Sequence, residues 1–399
     1  MTHLLPLLSA LERAGSDVHL LCLGEGGLAE EAGRRGLSVA VLPMSGPRDP
    51  RVLRPLRRVF AEGPAGLEAL WRAAPASPAA EPAPAARTPA PRWDVVHTHG
   101  MRANLPARLA IRGMHRRPRL FTTVHSDLRL DYASAPLTQL YQGLDRATLG
   151  SVDGVVCVSD GLRTLLAKRG YPAERLVTVR SGLEAAAATS EPTGGSPGGA
   201  TVADIAAARR PRVGTVARLV AVKDIDLMLE VAELLRRTHP EVEVVIVGDG
   251  PDRGRLEALA AGAGLAGVVR FTGRLENVGS VLGGLDVYLV TSVFEGGVSM
   301  SVLEAMAAGL PVVTTAAGGV AEAVVDGETG SVVARDQERG ALAAALAERA
   351  AALLDDPALR ARMGAAGARR VRDHFTVEQT AARTLHAYER CLAARGEQL

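Results

Sequence analysis

Short apolar runs alternate with segments of helical periodicity along most of the chain. Residues 18–24, 37–44 and 213–216 are typical of buried strands, and the segments between such runs place apolar residues three or four positions apart. Strands that alternate with helices form parallel, doubly wound sheets with helices on both faces. The pattern therefore predicts an α/β fold.

Two segments of low complexity interrupt this pattern. Residues 63–92 are rich in Ala and Pro, which predicts a disordered or extended surface insertion. Residues 186–210 are rich in Ala, Gly, Pro, Ser and Thr, which is typical of an interdomain linker. A chain of 399 residues is long enough for about two domains, which we place at 1–185 and 211–374.

The chain opens with a leucine-faced helix predicted over His3–Ala14. Doubly wound sheets normally open with a strand and a glycine-rich loop, and this sequence starts directly at the helix. Either the first strand of the first domain was lost through a misassigned start, or the sheet does without it.

The stretch 291–311, TSVFEGGVSMSVLEAMAAGLP, carries the most informative chemistry. It lies between two apolar runs, which predicts strand, loop, short helix and strand, with the Ser299 hydroxyl as the N-cap. Backbone amides ahead of a helix N-terminus favour anions. Glu295 in the loop and Glu304 on the helix are placed to accept bonds from ligand hydroxyls, although two solvated acids are the alternative.

This stretch resembles the EG…LEAMAxGxPVV signature of glycosyltransferase family 4, whose members are retaining enzymes of the GT-B fold that use nucleotide sugars. Eight residues separate Glu295 from Glu304, where the family usually has seven, so one extra residue lies in the pair Gly296 and Gly297. The resemblance implies two Rossmann-like domains facing a cleft. It also implies that a last helix, 375–399, packs back on the first domain.

Two cations ahead of a predicted helix support the same reading. Arg218 can bind two oxygens of a diphosphate at once, and Lys223 can act as a mobile point charge. The pair resembles the family's RL-x-x-x-K motif, although two solvated cations on a turn are the alternative. Gly248 and Gly250 follow a strand, but the third glycine of a dinucleotide fingerprint is out of register, so we reject a dehydrogenase.

The resemblance assigns roles to individual residues. Arg218, Lys223 and the amides of the loop would neutralise the departing diphosphate, Glu304 would bind the ribose, and Glu295 would bind sugar hydroxyls. His125, at the end of a predicted strand, would polarise the reacting face, although a structural histidine is the alternative. The remaining implied donor contacts are Gly248, Gly250, Thr272, Arg274, Gly296, Gly297 and Val298, and the acceptor side holds His99 and Asp127.

A metal requirement is not expected. His97 and His99 lie two apart on a predicted strand and share a face, but no third ligand stands near them in the sequence. The diphosphate is instead matched by fixed cations and amides. We therefore predict neither a metal nor any other cofactor.

The resemblance implies retaining transfer of a hexosyl group from a nucleotide-diphosphate sugar, such as a UDP-sugar, to an acceptor hydroxyl in envelope polysaccharide or glycolipid synthesis. Two rivals stay open. A nucleotide-sugar 2-epimerase of the same fold would act on the donor alone. A non-catalytic sugar-nucleotide-binding protein would bind the donor without turnover. The nucleotide, the sugar, the acceptor and the oligomeric state are not encoded in any motif.

The amino-acid composition limits the classes of partner that the protein can bind. A net charge of +2 and 3% aromatic residues exclude a nucleic-acid-binding surface. Three dispersed cysteines and the lack of a leader or a spanning run predict a cytoplasmic protein with free thiols. A basic face could meet anionic lipid at the inner membrane face, although a solvated face is the commoner outcome. Its arginines are Arg102, Arg108, Arg112, Arg116, Arg117 and Arg119.

Overall fold

The computed structural model of the chain describes residues 3–46, 49–73, 92–127, 129, 135–184, 210–275 and 277–393. The chain divides into two compact units. Unit 1 comprises Met1–Arg180 and Val377–Leu399, and unit 2 comprises Ser181–Thr376. Nearly all of the predicted linker 186–210 lies outside the described residues.

The strands of unit 1 are parallel and form two separate pieces. β1 (His19–Cys22) pairs with β2 (Ser38–Val41), and the second piece has the order β3-β4-β5-β6. Its strands are β3 (Val95–His99), β4 (Arg119–Val124), β5 (Gly154–Cys157) and β6 (Leu176–Thr178). The described residues ahead of β1 form only a helix, so they supply no strand that joins the two pieces.

The helices of unit 1 pack around these strands. They are α1 (Leu4–Arg13), α2 (Gly27–Arg34), α3 (Leu53–Glu62), α4 (Pro64–Ala73), α5 (Met101–Ala110), α6 (Ala135–Thr148), α7 (Asp160–Lys168) and, from the end of the chain, α14 (Val377–Ala393). Val377 and Ala381 of α14 pack with Leu7 and Leu11 of α1 in one apolar cluster. Burial of this face ties the last described helix to the first.

The start of the Ala/Pro-rich segment is helical, which the prediction of a disordered or extended segment missed. α4 occupies residues 64–73, and Leu67 is buried in the same core cluster as Val59 and Phe60 of α3. Two leucines and a tryptophan within this decapeptide give it an apolar face, which the Ala/Pro composition of the whole segment conceals. Residues 74–91 lie outside the described part of the chain.

The predicted basic face is much smaller than the sequence indicates, because half of its arginines are used internally. Arg108 is buried and its guanidinium donates to Asp145 at 2.6 Å. Arg117 and the buried Arg119 both pair with Asp153. The exposed remainder is Arg102, Arg112 and Arg116. None of the helices in the described segments is both long and apolar enough to span a membrane.

Unit 2 holds one parallel sheet with the order β12-β11-β10-β7-β8-β9. The strands are β7 (Arg212–Val216), β8 (Glu243–Val247), β9 (Val269–Gly273), β10 (Val287–Val290), β11 (Val312–Thr315) and β12 (Gly330–Val333). The chain leaves β7 toward β8 and β9, then returns to β10 on the other side. β7 and β10 therefore flank the topological switch point, where ligands bind in sheets of this order.

Helices cover both faces of this sheet, as its two core clusters show. They are α8 (Ile225–Thr238), α9 (Arg253–Gly262), α10 (Gly279–Leu282), α11 (Met300–Ala307), α12 (Arg339–Asp355) and α13 (Pro357–His374). The sequence reading missed α13, although the Asp356 carboxylate caps it by accepting from the Leu359 amide and Pro357 occupies its first turn. Cys22, Cys157 and Cys391 are free thiols, as predicted.

Candidate active site

The carboxyl ends of β7 and β10 bring together side chains that lie far apart in the sequence. Lys223, which follows β7, forms an ion pair with Glu295, which follows β10. The Ser292 hydroxyl donates to the same carboxylate at 2.7 Å. These residues share one narrow hollow with Thr215, Tyr288 and Ser301. A cation and an acid are therefore concentrated at the switch point of the sheet.

Lys223 is unusual in this chain. The sequence has 46 cationic Lys and Arg side chains, and only Lys168 and Lys223 are lysines. Arg218, five residues earlier, is exposed, and its side chain makes no hydrogen bond or ion pair with the described residues. A partly buried ammonium and an open guanidinium thus stand on one loop, as an incoming anion requires.

Backbone and side-chain bonds hold the two loops of this hollow against each other. The Thr291 hydroxyl donates to the carbonyl of Lys223 at 3.1 Å, and the Val293 amide donates to Val222 at 2.8 Å. Arg335 donates to the carbonyl oxygens of Thr291 and Ser292. The backbone that carries Lys223 is therefore held by the segment that follows β10 on the other side of the switch point.

Arg335 also reaches the residue that follows Lys223. Its guanidinium donates to the Asp224 carboxylate at 3.0 Å, and Arg339 donates to the other oxygen at 3.2 Å. Asp224 has φ 47° and ψ 50°, the only positive φ among the described non-glycine residues. Two guanidinium partners stabilise this left-handed turn, which starts α8 directly after Lys223.

The predicted donor glycines Gly248 and Gly250 allow two loops to touch. A Cβ on Gly248 would lie 1.9 Å from the Ala217 carbonyl oxygen, and one on Gly250 would lie 2.3 Å from that of Leu219. The Leu219 amide donates to the Asp249 backbone carbonyl at 3.0 Å. The loop of Gly248 and Gly250 therefore supports the segment that carries Arg218.

The loop after Glu295 is held in a similar way. The Gly319 amide donates to the Glu295 carbonyl at 2.9 Å, and a Cβ on Gly319 would lie 2.4 Å from the carbonyl carbon of Gly297. Gly296 and Val298 are buried on this loop. The close packing fixes the backbone that leads into α11.

Ser299 is the N-cap residue of α11, as predicted, but its hydroxyl makes no capping bond. It instead lies 3.0 Å from the hydroxyl of Ser301. Glu304 is on the same helix, and burial raises the pKa of its carboxyl group. A carboxylate in this position would gain from hydroxyl donors that a ligand supplies.

Two of the implied donor contacts, Thr272 and Arg274, are at the end of β9. The Thr272 hydroxyl donates to the Gly273 carbonyl at 3.0 Å, and Arg274 is exposed. Neither side chain contacts Lys223 or Glu295 in the described structure. Their role in binding a donor stays a prediction.

The candidate residues of unit 1 meet at the carboxyl ends of β3 and β4. His99 Nδ1 lies 3.3 Å from His125 Nε2. His97 lies 2.5 Å from the Tyr388 hydroxyl and 2.7 Å from that of Thr123, so both of its ring nitrogens are occupied. Asp127 is bound by Arg169 through two contacts, at 2.7 and 2.6 Å. His99 and His125 therefore form a pair, while Asp127 belongs to a separate ion pair.

Burial dominates the ionisation of these histidines. It lowers the pKa of His97 to about 3 and that of His125 to about 4, and it places the pKa of His99 well below its usual value. Burial also lowers the pKa of His3 to about 3. The four rings are therefore neutral at pH 7. Burial alone would raise the pKa of Asp127, but the bonds from Arg169 hold it below the usual value.

Unit 1 is expected to lose stability as the pH falls from 6.5 toward 4. The unfolded chain takes up protons near pH 6.5, whereas the folded histidines stay neutral, so each contributes a loss of at most about 1.4 kcal/mol per pH unit. Both tryptophans, Trp71 and Trp93, belong to unit 1. Urea titrations followed by tryptophan fluorescence should give a lower midpoint at pH 5 than at pH 7.5. An unchanged midpoint would contradict this assignment.

Sequence reasoning missed several residues of both sites. Ser292 donates to Glu295, Asp224 directly follows Lys223, and Arg335 donates to Asp224 from more than a hundred residues away. His3 was read only as the start of a helix, yet its ring centroid lies 4.5 Å from that of His125. The spacing of these residues in the sequence does not predict the contacts, because each contact depends on how the helices and strands pack.

Comparison with known proteins agrees with this architecture. The profile of the family described as Glycosyltransferase Family 4 matches residues 2–186, and that of Glycosyl transferases group 1 matches residues 204–370. The glycogen synthase of Mycobacterium tuberculosis (strain H37Rv) is 29% identical over 318 residues, which cover 77% of this chain and 70% of that protein.

Two further proteins match at different ranges. A GDP-mannose-dependent phosphatidylinositol monomannoside mannosyltransferase of Mycolicibacterium smegmatis is 35% identical over 166 residues, which cover 40% of this chain and 42% of that protein. The structure of Anabaena HepE in complex with UDP superposes with a TM-score of 0.71 at 16% identity, covering 97% of this chain and 96% of that chain. The chain therefore belongs to glycosyltransferase family 4, has the two Rossmann-like domains of the GT-B fold, and is a glycosyltransferase that uses sugar donors.

Proposed function

We propose that the protein transfers a hexosyl group from a nucleotide-diphosphate sugar to an acceptor hydroxyl, with retention of the anomeric configuration. The observation that carries the proposal is the position of Lys223 and Arg218 at the switch point of the unit 2 sheet, beside the Glu295 loop. A diphosphate is the ligand whose charge and size suit two such cations.

The main catalytic effect is stabilisation of the leaving group. As the bond to the sugar breaks, negative charge grows on the diphosphate oxygens. Lys223 and Arg218 supply positive charge there, and the amides of Gly296 and Gly297 supply dipoles. Because these groups would already contact the bound diphosphate before the bond breaks, the step costs little further reorganisation. The diphosphate then needs no divalent metal.

Glu295 changes partner in this scheme. In the structure its carboxylate accepts from Lys223 and Ser292. A bound diphosphate would attract the Lys223 ammonium, and the Glu295 carboxylate would then be free to accept from sugar hydroxyls. Glu304 would take the ribose hydroxyls, whose donors offset the burial of its carboxylate. Backbone groups near Thr272 and Arg274 would hold the base.

Unit 1 would supply the acceptor side. His125 would polarise the reacting face as a neutral imidazole, with His99 beside it. The Asp127 and Arg169 pair would shape the neighbouring surface. The relatives differ in their nucleotide, because HepE was solved with UDP and the mannosyltransferase is named for GDP-mannose. We propose an envelope glycan or a lipid-linked sugar as the acceptor, and no nucleic acid.

Turnover of a panel of UDP-, GDP- and ADP-sugars, with and without monosaccharide, glycan and glycolipid acceptors, tests this function. We expect acceptor-dependent product whose anomeric proton coupling matches that of the donor, and no loss of rate with EDTA. Product of the opposite configuration would contradict retention. A new sugar epimer formed from the donor alone would indicate the epimerase, and donor binding without any turnover would indicate a binding protein.

A further inference from the structure

Three histidines from different elements of unit 1 converge on one point. His3 precedes α1, His99 ends β3 and His125 directly follows β4. Each offers one ring nitrogen, and the three nitrogens lie within 4.8 Å of one another. The ring centroids of His3 and His125 are 4.5 Å apart, and those of His99 and His125 are 5.5 Å apart.

The nitrogens of this group are suited to a common ligand. His3 Nε2 is buried and has no hydrogen-bond partner among the described residues. His99 Nδ1 and His125 Nε2 are 3.3 Å apart. Two ligand nitrogens on one tetrahedral zinc ion, at 2.0–2.1 Å from the metal, are about 3.3 Å from each other. The pair therefore already has the separation that a shared ion requires.

His97 differs from these three, although the sequence places it next to His99 on the same face. Its two ring nitrogens contact the hydroxyls of Tyr388 and Thr123. An imidazole held on both sides has no lone pair to give. The sequence pairs His97 with His99 on one strand face. The structure instead groups His99 with His3 and His125.

We propose that His3, His99 and His125 bind a single divalent transition-metal ion of the zinc class. Three neutral imidazoles favour Zn²⁺, Co²⁺, Ni²⁺ or Cu²⁺ over Mg²⁺ and Ca²⁺, which prefer oxygen ligands. The group has no carboxylate among the described residues, so water, hydroxide or a small anion would complete the coordination.

The three histidines belong to unit 1, whereas the proposed diphosphate site belongs to unit 2 and is proposed to act without a metal. A bound ion would occupy the His125 nitrogen that faces His99. It would therefore compete with the polarising role proposed for His125. Metal binding is measured without donor or acceptor, so its outcome is independent of the proposed transfer reaction.

Titration of the protein with Co²⁺, after removal of any polyhistidine tag, tests the proposal. We expect visible d–d absorption that saturates at one ion per chain and is displaced by Zn²⁺. His3→Ala should weaken Co²⁺ binding at least about tenfold, and the fold should persist because the His3 side chain makes no capping bond. His99→Gln should have the same effect.

His386→Gln is the matched control, since His386 is an exposed histidine of α14 with a side-chain exposure of 68%. It should leave the cobalt spectrum and affinity unchanged. Three outcomes would overturn the proposal: no d–d absorption in the unaltered protein, affinity retained in both His3→Ala and His99→Gln with circular dichroism unchanged, or equal loss in His386→Gln.

Discussion

Replacing Lys223 by alanine is expected to lower the rate of sugar transfer at least about tenfold while the protein stays folded. The ammonium lies at the switch point of the unit 2 sheet, paired only with the Glu295 carboxylate in the described structure. Once it is removed, the charge that grows on the leaving diphosphate loses its nearest fixed partner. The loss should fall on kcat, because the charge of the diphosphate is greatest in the transition state.

Lys168 provides the control for this experiment, since it is the other lysine of the chain and is exposed on α7 of unit 1. Lys168→Ala should keep the parent rate. Arg218→Ala should reproduce the loss seen for Lys223→Ala, because both cations are assigned to the same diphosphate. Parent rates in both Arg218→Ala and Lys223→Ala, measured with the same donor and acceptor, would remove the phosphate assignment.

Gly248→Ala is expected to destabilise unit 2 by about 2–4 kcal/mol. Its φ is +130°, which side-chain-bearing residues rarely adopt, and the added methyl group would lie 1.9 Å from the Ala217 carbonyl oxygen. The loop after β7 and the loop after β8 cannot separate without breaking the hydrogen bond between the Ala217 amide and the Val247 carbonyl. Because the loop after β7 carries Arg218, the rate of sugar transfer should also fall.

Gly254→Ala is the matched substitution in the same segment. Gly254 is in the first turn of α9, and a Cβ there meets no atom within 4 Å. Alanine should be neutral or stabilise the helix by up to about 1 kcal/mol. Urea unfolding followed by circular dichroism, in a transition that tryptophan fluorescence does not share, reports on unit 2. Equal midpoints for both variants would contradict the steric account.

The sequence pattern predicted much of the fold because its strands are buried on both faces and appear as apolar runs. β7, β8, β10 and β11 were all located in this way. The predictions failed where composition concealed an amphipathic segment. α4 begins a stretch that is mostly Ala and Pro, and its Leu67 is the residue that enters the core.

The candidate site was predictable as a set of residue types but not as a set of contacts. Lys223 and Glu295 were each identified from their loops, yet their ion pair joins residues 72 positions apart. The buried ion pair of Arg108 and Asp145 also joins residues that lie far apart in the sequence. It removes Arg108 from the predicted basic face. Such partners follow from strand order, which periodicity alone does not specify.

Reductive methylation of lysine side chains, quantified by mass spectrometry with and without a nucleoside diphosphate, tests the central claim most directly. UDP, GDP and ADP are each tried, and the one that most raises the melting temperature is used. We predict that it slows methylation of Lys223 severalfold and leaves that of Lys168 unchanged. An unaltered Lys223 rate, with a nucleotide that demonstrably stabilises the protein, would contradict the placement of the diphosphate at the switch point of unit 2.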